Sequence, residues 1–150
     1  MNPCPSPFIH QSSLNTCYYL DYAISGQTFT QLQTFCQSLH PLSHLVAVES
    51  QAEYLLIKDL LASNVSLCEI CWTCGMVDTP GIVTHYTWYM GQYGTKKVDL
   101  SYFNWGPSDP NGQTQETMIG FLDGYFVDFA NSPSIYHPGT SHCYICEFDP

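Results

Sequence analysis

Eight cysteines in 150 residues constrain this chain more than any other feature. They stand at 4, 17, 36, 68, 71, 74, 143 and 146. An even, high count in a chain this short suggests an oxidising compartment and a disulfide framework. A zinc ribbon is the rival, because Cys71-x-x-Cys74 and Cys143-x-x-Cys146 are two CxxC pairs. The two pairs lie far apart, and a ribbon would leave Cys4, Cys17 and Cys36 as thiols. Number and spacing therefore favour four bridges, with all eight cysteines oxidised.

The length suits a single domain over residues 1–150, and 45% hydrophobic residues can supply its core. Lys and Arg number 3 against 13 Asp and Glu, a formal net charge of −10. That balance argues against nucleic acid, whose phosphates call for basic residues to displace counterions. It also argues against anionic membrane surfaces. Excess carboxylate suits a hard cation such as calcium, and it equally suits plain solubility. No apolar run reaches the ~18 residues of a membrane span, so no membrane insertion is expected. No signal peptide is expected from the opening residues, and Met1-Asn2-Pro3-Cys4 reads as an initiator placed ahead of a mature secreted chain. Asn64-Val65-Ser66 is a glycosylation sequon, which fits export.

Periodicity separates an early helical part from a later strand-rich part. CYYLDY (17–22) is strand-like. Thr28-x-x-Gln31 is a capping box, and Phe29, Leu32, Cys36 and Leu39 follow on one helical face until His40-Pro41. HLVAVES (44–50) reads as a strand. Ser50-x-x-Glu53 opens a second helix through Tyr54, Ile57, Leu60 and Leu61 to about Asn64. No helix is expected after residue 67. CWTCGMV, HYTWYM, ETMIGFL, GYFVDF and HCYICEF read as short strands. The pattern is α+β.

FNWGPSDPNG (103–112) fits neither helix nor central strand, since Pro and Gly interrupt both. Asp109-Pro110-Asn111-Gly112 has the composition of a turn. Trp72 and Trp105 are read as core residues. Tyr125 is one of eleven tyrosines that could stack on a ring. The six histidines show no zinc spacing, and no nucleophile–base arrangement has local support, so no enzyme is expected.

These pieces, in this order, resemble a C-type lectin domain of the long form, and the match covers almost all of the chain. A cysteine hairpin (Cys4, Cys17) comes first, then a helix carrying Cys36. LVAVESQAEYLL (45–56) resembles the segment joining that family's helices. TCGMVD (73–78) stands at its tryptophan-isoleucine-glycine-leucine motif. FNW and DPN stand at its long loop, FVD (126–128) at its tryptophan-asparagine-aspartate strand, and ICE (145–147) at its end. The resemblance implies two helices flanking two small antiparallel sheets, with a long loop at one end. It implies bridges Cys4–Cys17 and Cys36–Cys146, the latter stabilising by roughly 4–5 kcal/mol on a chain-entropy model. The family's other common bridge would join positions near Thr117 and Asn131, and neither is cysteine. Two substitute bridges are expected among Cys68, Cys71, Cys74 and Cys143, at least one joining the 68–74 region to Cys143.

The resemblance further implies calcium. In sugar-binding members an acid-Pro-amide triplet coordinates the ion, and two vicinal sugar hydroxyls complete its shell. Asp109-Pro110-Asn111 has the acid-first order of mannose-type members, with Asp where Glu is usual. The implied metal and sugar ligands are Asp109, Asn111, Glu116 (with Gln115 beside it) and Asp128. Val127 departs from the pattern by replacing an asparagine, which removes an oxygen ligand and an amide donor. The expectation is a secreted, calcium-dependent, mannose-type lectin whose partners are glycans or glycoproteins, as a monomer or a homo-oligomer. The alternative is a calcium-independent domain of the same fold that binds a protein or another non-sugar ligand. A structural or mineral-associated acidic secreted protein is a third reading, from charge alone.

Overall fold

The computed structural model describes residues 2–24, 26–77, 86–102, 104–106, 116–122, 125–130 and 140–150, with backbone alone for Tyr93, Glu116, Thr117, Asp128, Phe129 and Ala130. The strands are β1 (Ile9–Gln11), β2 (Thr16–Tyr22), β3 (His44–Leu45), β4 (Ile70–Val77), β5 (Tyr86–Met90), β6 (Lys96–Asp99), β7 (Glu116–Leu122), β8 (Tyr125–Ala130) and β9 (His142–Phe148). The helices are α1 (Phe29–Leu39) and α2 (Gln51–Asn64). Strands β1, β6 and a single 3-10 turn at Gln92–Gly94 had no reading in the sequence.

Local chemistry sets both helices. Thr28 precedes α1, and its amide donates to Gln31 Oε1 at 2.9 Å. Leu32 and Cys36 are buried one turn apart on the inner face. Ser50 caps α2 by accepting from the Glu53 amide at 3.1 Å. The Glu53 carboxylate does not close the reciprocal arm onto Ser50. It reaches one residue further and accepts from the Glu49 amide at 3.0 Å.

Two antiparallel groups form the sheet. In one, β9 is flanked by β2 and touched by β3, and β1 extends β2. In the other, β4 pairs with both β5 and β7, which carry β6 and β8 on their outer sides. Three parallel residue pairs, Ile70 with His142, Cys71 with Cys143 and Trp72 with Tyr144, join the two groups. The strand expected over 44–50 is regular only at His44–Leu45. Beyond it the chain threads between the groups. The Val46 amide donates to Ile145 in β9, and the Val46 carbonyl accepts from Cys74 in β4, both at 2.9 Å. The next amide, Ala47, donates to the Glu147 side chain at 2.8 Å instead of to a backbone carbonyl, so the ladder ends there.

Three bridges hold this arrangement: Cys4–Cys17, Cys36–Cys146 and Cys68–Cys143. The pairings from the resemblance stand, as does the link from the 68–74 region to Cys143. The fourth bridge does not form, and Cys71 and Cys74 are buried thiols. They lie on one strand three residues apart, roughly 10 Å at strand rise, beyond the ~7 Å that a disulfide spans. Residues three apart also face opposite sides of a strand. The zinc ribbon is excluded as well, because Cys143 and Cys146 are both in disulfides. On the chain-entropy model, the Cys36–Cys146 bridge over 110 residues contributes about 4.8 kcal/mol, and Cys4–Cys17 over 13 residues about 2.9 kcal/mol.

Between the groups lies the core, with Trp72, Trp88, Phe126, Ile119 and Met118 fully buried. One buried amide stitches its polar groups. Gln33 of α1 donates to the Tyr89 carbonyl at 3.0 Å and accepts from the Leu45 amide at 2.7 Å. No helix among the described residues is long and apolar enough to cross a membrane.

Candidate functional site

Two of the four candidate ligands, Glu116 and Asp128, have their backbones where β4, β7 and β8 run out at the Val77 end of the sheet. Asp109 and Asn111, with Pro110 between them, lie outside the described residues. The turn-or-ligand question about that triplet lies there too. Glu116 and Asp128 have placed backbones on adjacent strands. Glu116 is opposite Ala130, and Asp128 is opposite Ile119. Asp128 is therefore two residues along β8 from the partner of Glu116, a diagonal relation that typically spans roughly 7–8 Å. A register shift between Glu116 and Met118 falls at this point. The structure thus brings the backbones of these two residues together.

The long segment is anchored before it departs. The Phe126 amide donates to the Asn104 carbonyl at 2.8 Å, and the Gly106 amide donates to the Phe126 carbonyl at 2.9 Å. Trp105 pairs with Phe126 in an isolated bridge, and its ring sits 5.9 Å from Phe126 and 5.3 Å from Tyr86. Residues 104–106 therefore run beside β8, and the chain leaves Gly106 next to a residue two positions before Asp128. Trp72 is a core residue as read, and Trp105 is half-buried against the core. Tyr125, at the start of β8, is 46% exposed.

Val127 is only 8% exposed and opposite Gly120. Its side chain offers no oxygen, so any calcium set here relies on the other residues of this end and on water or ligand. Among the described residues no group of three His, Cys, Asp or Glu is arranged to hold a metal ion.

A second polar centre, absent from the sequence reading, ties the start of α2 to β9. Glu147 is buried and accepts from the Ala47 amide, with His44 Nδ1 4.0 Å away. Glu53 faces it and accepts from Tyr18 Oη at 3.0 Å. Burial and the neighbouring Glu53 push the Glu147 carboxyl well above its ordinary range, and burial raises Glu53 too. Burial lowers His44, whose Nδ1 donates to its neighbour's carbonyl, Leu45, at 2.7 Å. A cavity of about 170 Å³ opens on this pair, with Thr16, Glu49, Met90 and Asp149 in its wall. The sequence held one signal: Glu147 is the only charged residue of β9, a strand buried almost throughout.

No protein-family model and no curated protein matches the chain. Solved structures do. The C-type lectin CEL-I from Cucumaria echinata is similar over 97% of each chain at 19% identity, with a TM-score of 0.72. SPL-1, solved as a complex with GlcNAc, is 23% identical over 98% of this chain and 96% of its own, with a TM-score of 0.71. A calcium-independent type II antifreeze protein is 20% identical over 97% and 94%, with a TM-score of 0.69. Element order, disulfide positions and these likenesses agree: the chain has the C-type lectin-like fold.

Proposed function

We propose that this chain is a secreted carbohydrate-binding domain that uses calcium at its loop-bearing end and prefers mannose-type sugars. Asp109, Asn111, Glu116 and Asp128 would hold the ion. A bound calcium would supply a hard positive centre for two vicinal hydroxyls. The protein's part is geometric and polar. The carboxylates accept hydroxyl hydrogens, and the Asn111 amide donates to hydroxyl oxygen. The supporting observation is the anchoring of residues 104–106 to Phe126, which starts the triplet-bearing segment beside the strand that carries Asp128. Three disulfides fit the extracellular setting, and glycans or glycoproteins are the partners this reading requires. Among the similar structures CEL-I is a C-type lectin and SPL-1 is a complex with GlcNAc, in keeping with a sugar-binding role.

Titration calorimetry with calcium, then with mannose and galactose in calcium, tests the proposal. Millimolar calcium heat and mannose binding that chelation abolishes support it. Glycan binding that survives chelation, or no calcium heat at millimolar concentration, refutes it. The second reading is a calcium-independent binder of protein or another non-sugar ligand. Val127 favours it, since a buried aliphatic side chain stands where an oxygen ligand would help.

A further inference from the structure

The far end of β4 carries a different feature. Asn64-Val65-Ser66 is the one Asn-x-Ser/Thr triplet in the chain. Asn64 is the last residue of α2 and is exposed, as is Ser66. Val65 leaves helical geometry at φ −136° and ψ 56°, and the Cys68 amide turns back to its carbonyl at 2.9 Å. The triplet therefore straddles a helix exit into a tight turn, not a helix interior. The Asn64 side-chain nitrogen donates one hydrogen to the Leu60 carbonyl at 2.8 Å. An amide nitrogen has two hydrogens, so that bond can remain after substitution of the other.

Beside the triplet is a cleft of about 190 Å³ lined by Leu61, Val65, Ser66, Cys68 and Phe121 among others. Leu67, next to it, is 77% exposed. Among the described residues the disulfide next to the triplet is Cys68–Cys143, and Cys143 follows Cys68 by 75 residues. During synthesis the segment stays free of that tie until the last strand emerges.

We infer that Asn64 is an N-glycosylation site whose glycan stands over Leu67 and the mouth of this cleft; this rests on the secreted reading. The co-substrate is an oligosaccharide on a lipid diphosphate. Asn64 Nδ2 forms the new bond to the sugar's anomeric carbon. The bond from that carbon to the diphosphate oxygen breaks, the lipid diphosphate leaves with the electron pair, and the amide proton goes to a base of the transferase. No oxidation or reduction is involved. The site is at the Ile70 end of β4, the end away from Val77.

The test expresses the full chain behind a secretion leader in eukaryotic cells and reads its mass before and after peptide-N-glycosidase. The secreted protein should be heavier than its polypeptide. The enzyme should remove the whole excess and leave Asp at position 64. Asn64→Gln and Ser66→Ala should each lose the excess completely, while Ser66→Thr keeps it. An unmodified Asn64 peptide in both wild type and Ser66→Thr overturns the inference, as does carbohydrate that persists in Asn64→Gln. The leader routes the chain through the secretory pathway, so an unmodified Asn64 counts against this site and not against the secreted reading.

Discussion

Gly75 shows how little slack the sheet junction has. It lies in β4 opposite Trp88, just where the strand stops pairing evenly with β7. A Cβ built there would stand 2.6 Å from Ile119 Cδ1, 2.8 Å from Trp88 Cζ3 and 3.1 Å from Ile119 Cβ. Both neighbours are buried and cannot swing into solvent. Overpacking of this kind costs ~1–3 kcal/mol, and two contacts under 3.0 Å place Gly75→Ala near the upper end. In a chain of this size ~2.5 kcal/mol lowers Tm by roughly 5–10 °C. Ile119→Val removes the nearest atom. By itself it should cost about 1 kcal/mol, as such truncations do. In the Gly75→Ala background it should cost nothing or stabilise, a coupling of ~1 kcal/mol between touching residues. Urea unfolding of the four proteins in this double-mutant cycle measures it. A neutral Gly75→Ala, or additive effects within ~0.5 kcal/mol, would refute the steric account.

Three further outcomes are expected. Thiol titration of the denatured, unreduced protein should find two free thiols, Cys71 and Cys74, and in the native protein neither should react quickly, because burial raises both above the ordinary thiol value. Glu53 and Glu147 titrate higher in the folded state than unfolded, so the folded chain keeps protons that the unfolded chain releases above pH ~4.5, and this stability is lost as pH rises through the folded values. Glu147→Gln cannot ionise and keeps an acceptor for Ala47, so its Tm should gain on wild type steadily from about pH 6.5 to pH 8, above the range in which buried His44, 4.0 Å away, acts in the opposite sense, and a constant difference would contradict the buried-carboxyl account. Calcium should bind wild type weakly, at ~10⁻⁴–10⁻³ M, and Val127→Asn should tighten calcium and mannose together; calorimetry that shows no gain from the added oxygen would count against the site.

Both helices and most strands were legible in the residues because they depend on short-range chemistry. Thr28 and Ser50 announce helix starts, and apolar period separates α1 and α2 from β2, β4, β5, β7, β8 and β9. The pairings Cys4–Cys17 and Cys36–Cys146 came from resemblance, and spacing alone would not have chosen them. What only the tertiary structure decided lies in contacts between distant segments. Cys71 and Cys74 stay reduced because β4 keeps them extended and apart, which a cysteine count cannot reveal. Residues 46–48 leave the strand pattern because a side chain 100 residues away, Glu147, takes the Ala47 amide. Gly75 is needed because Trp88 and Ile119 close on it from two other strands. The Glu53–Glu147 pair combines a helix cap with a strand end, and its raised carboxyls exist only once the fold has removed both from water.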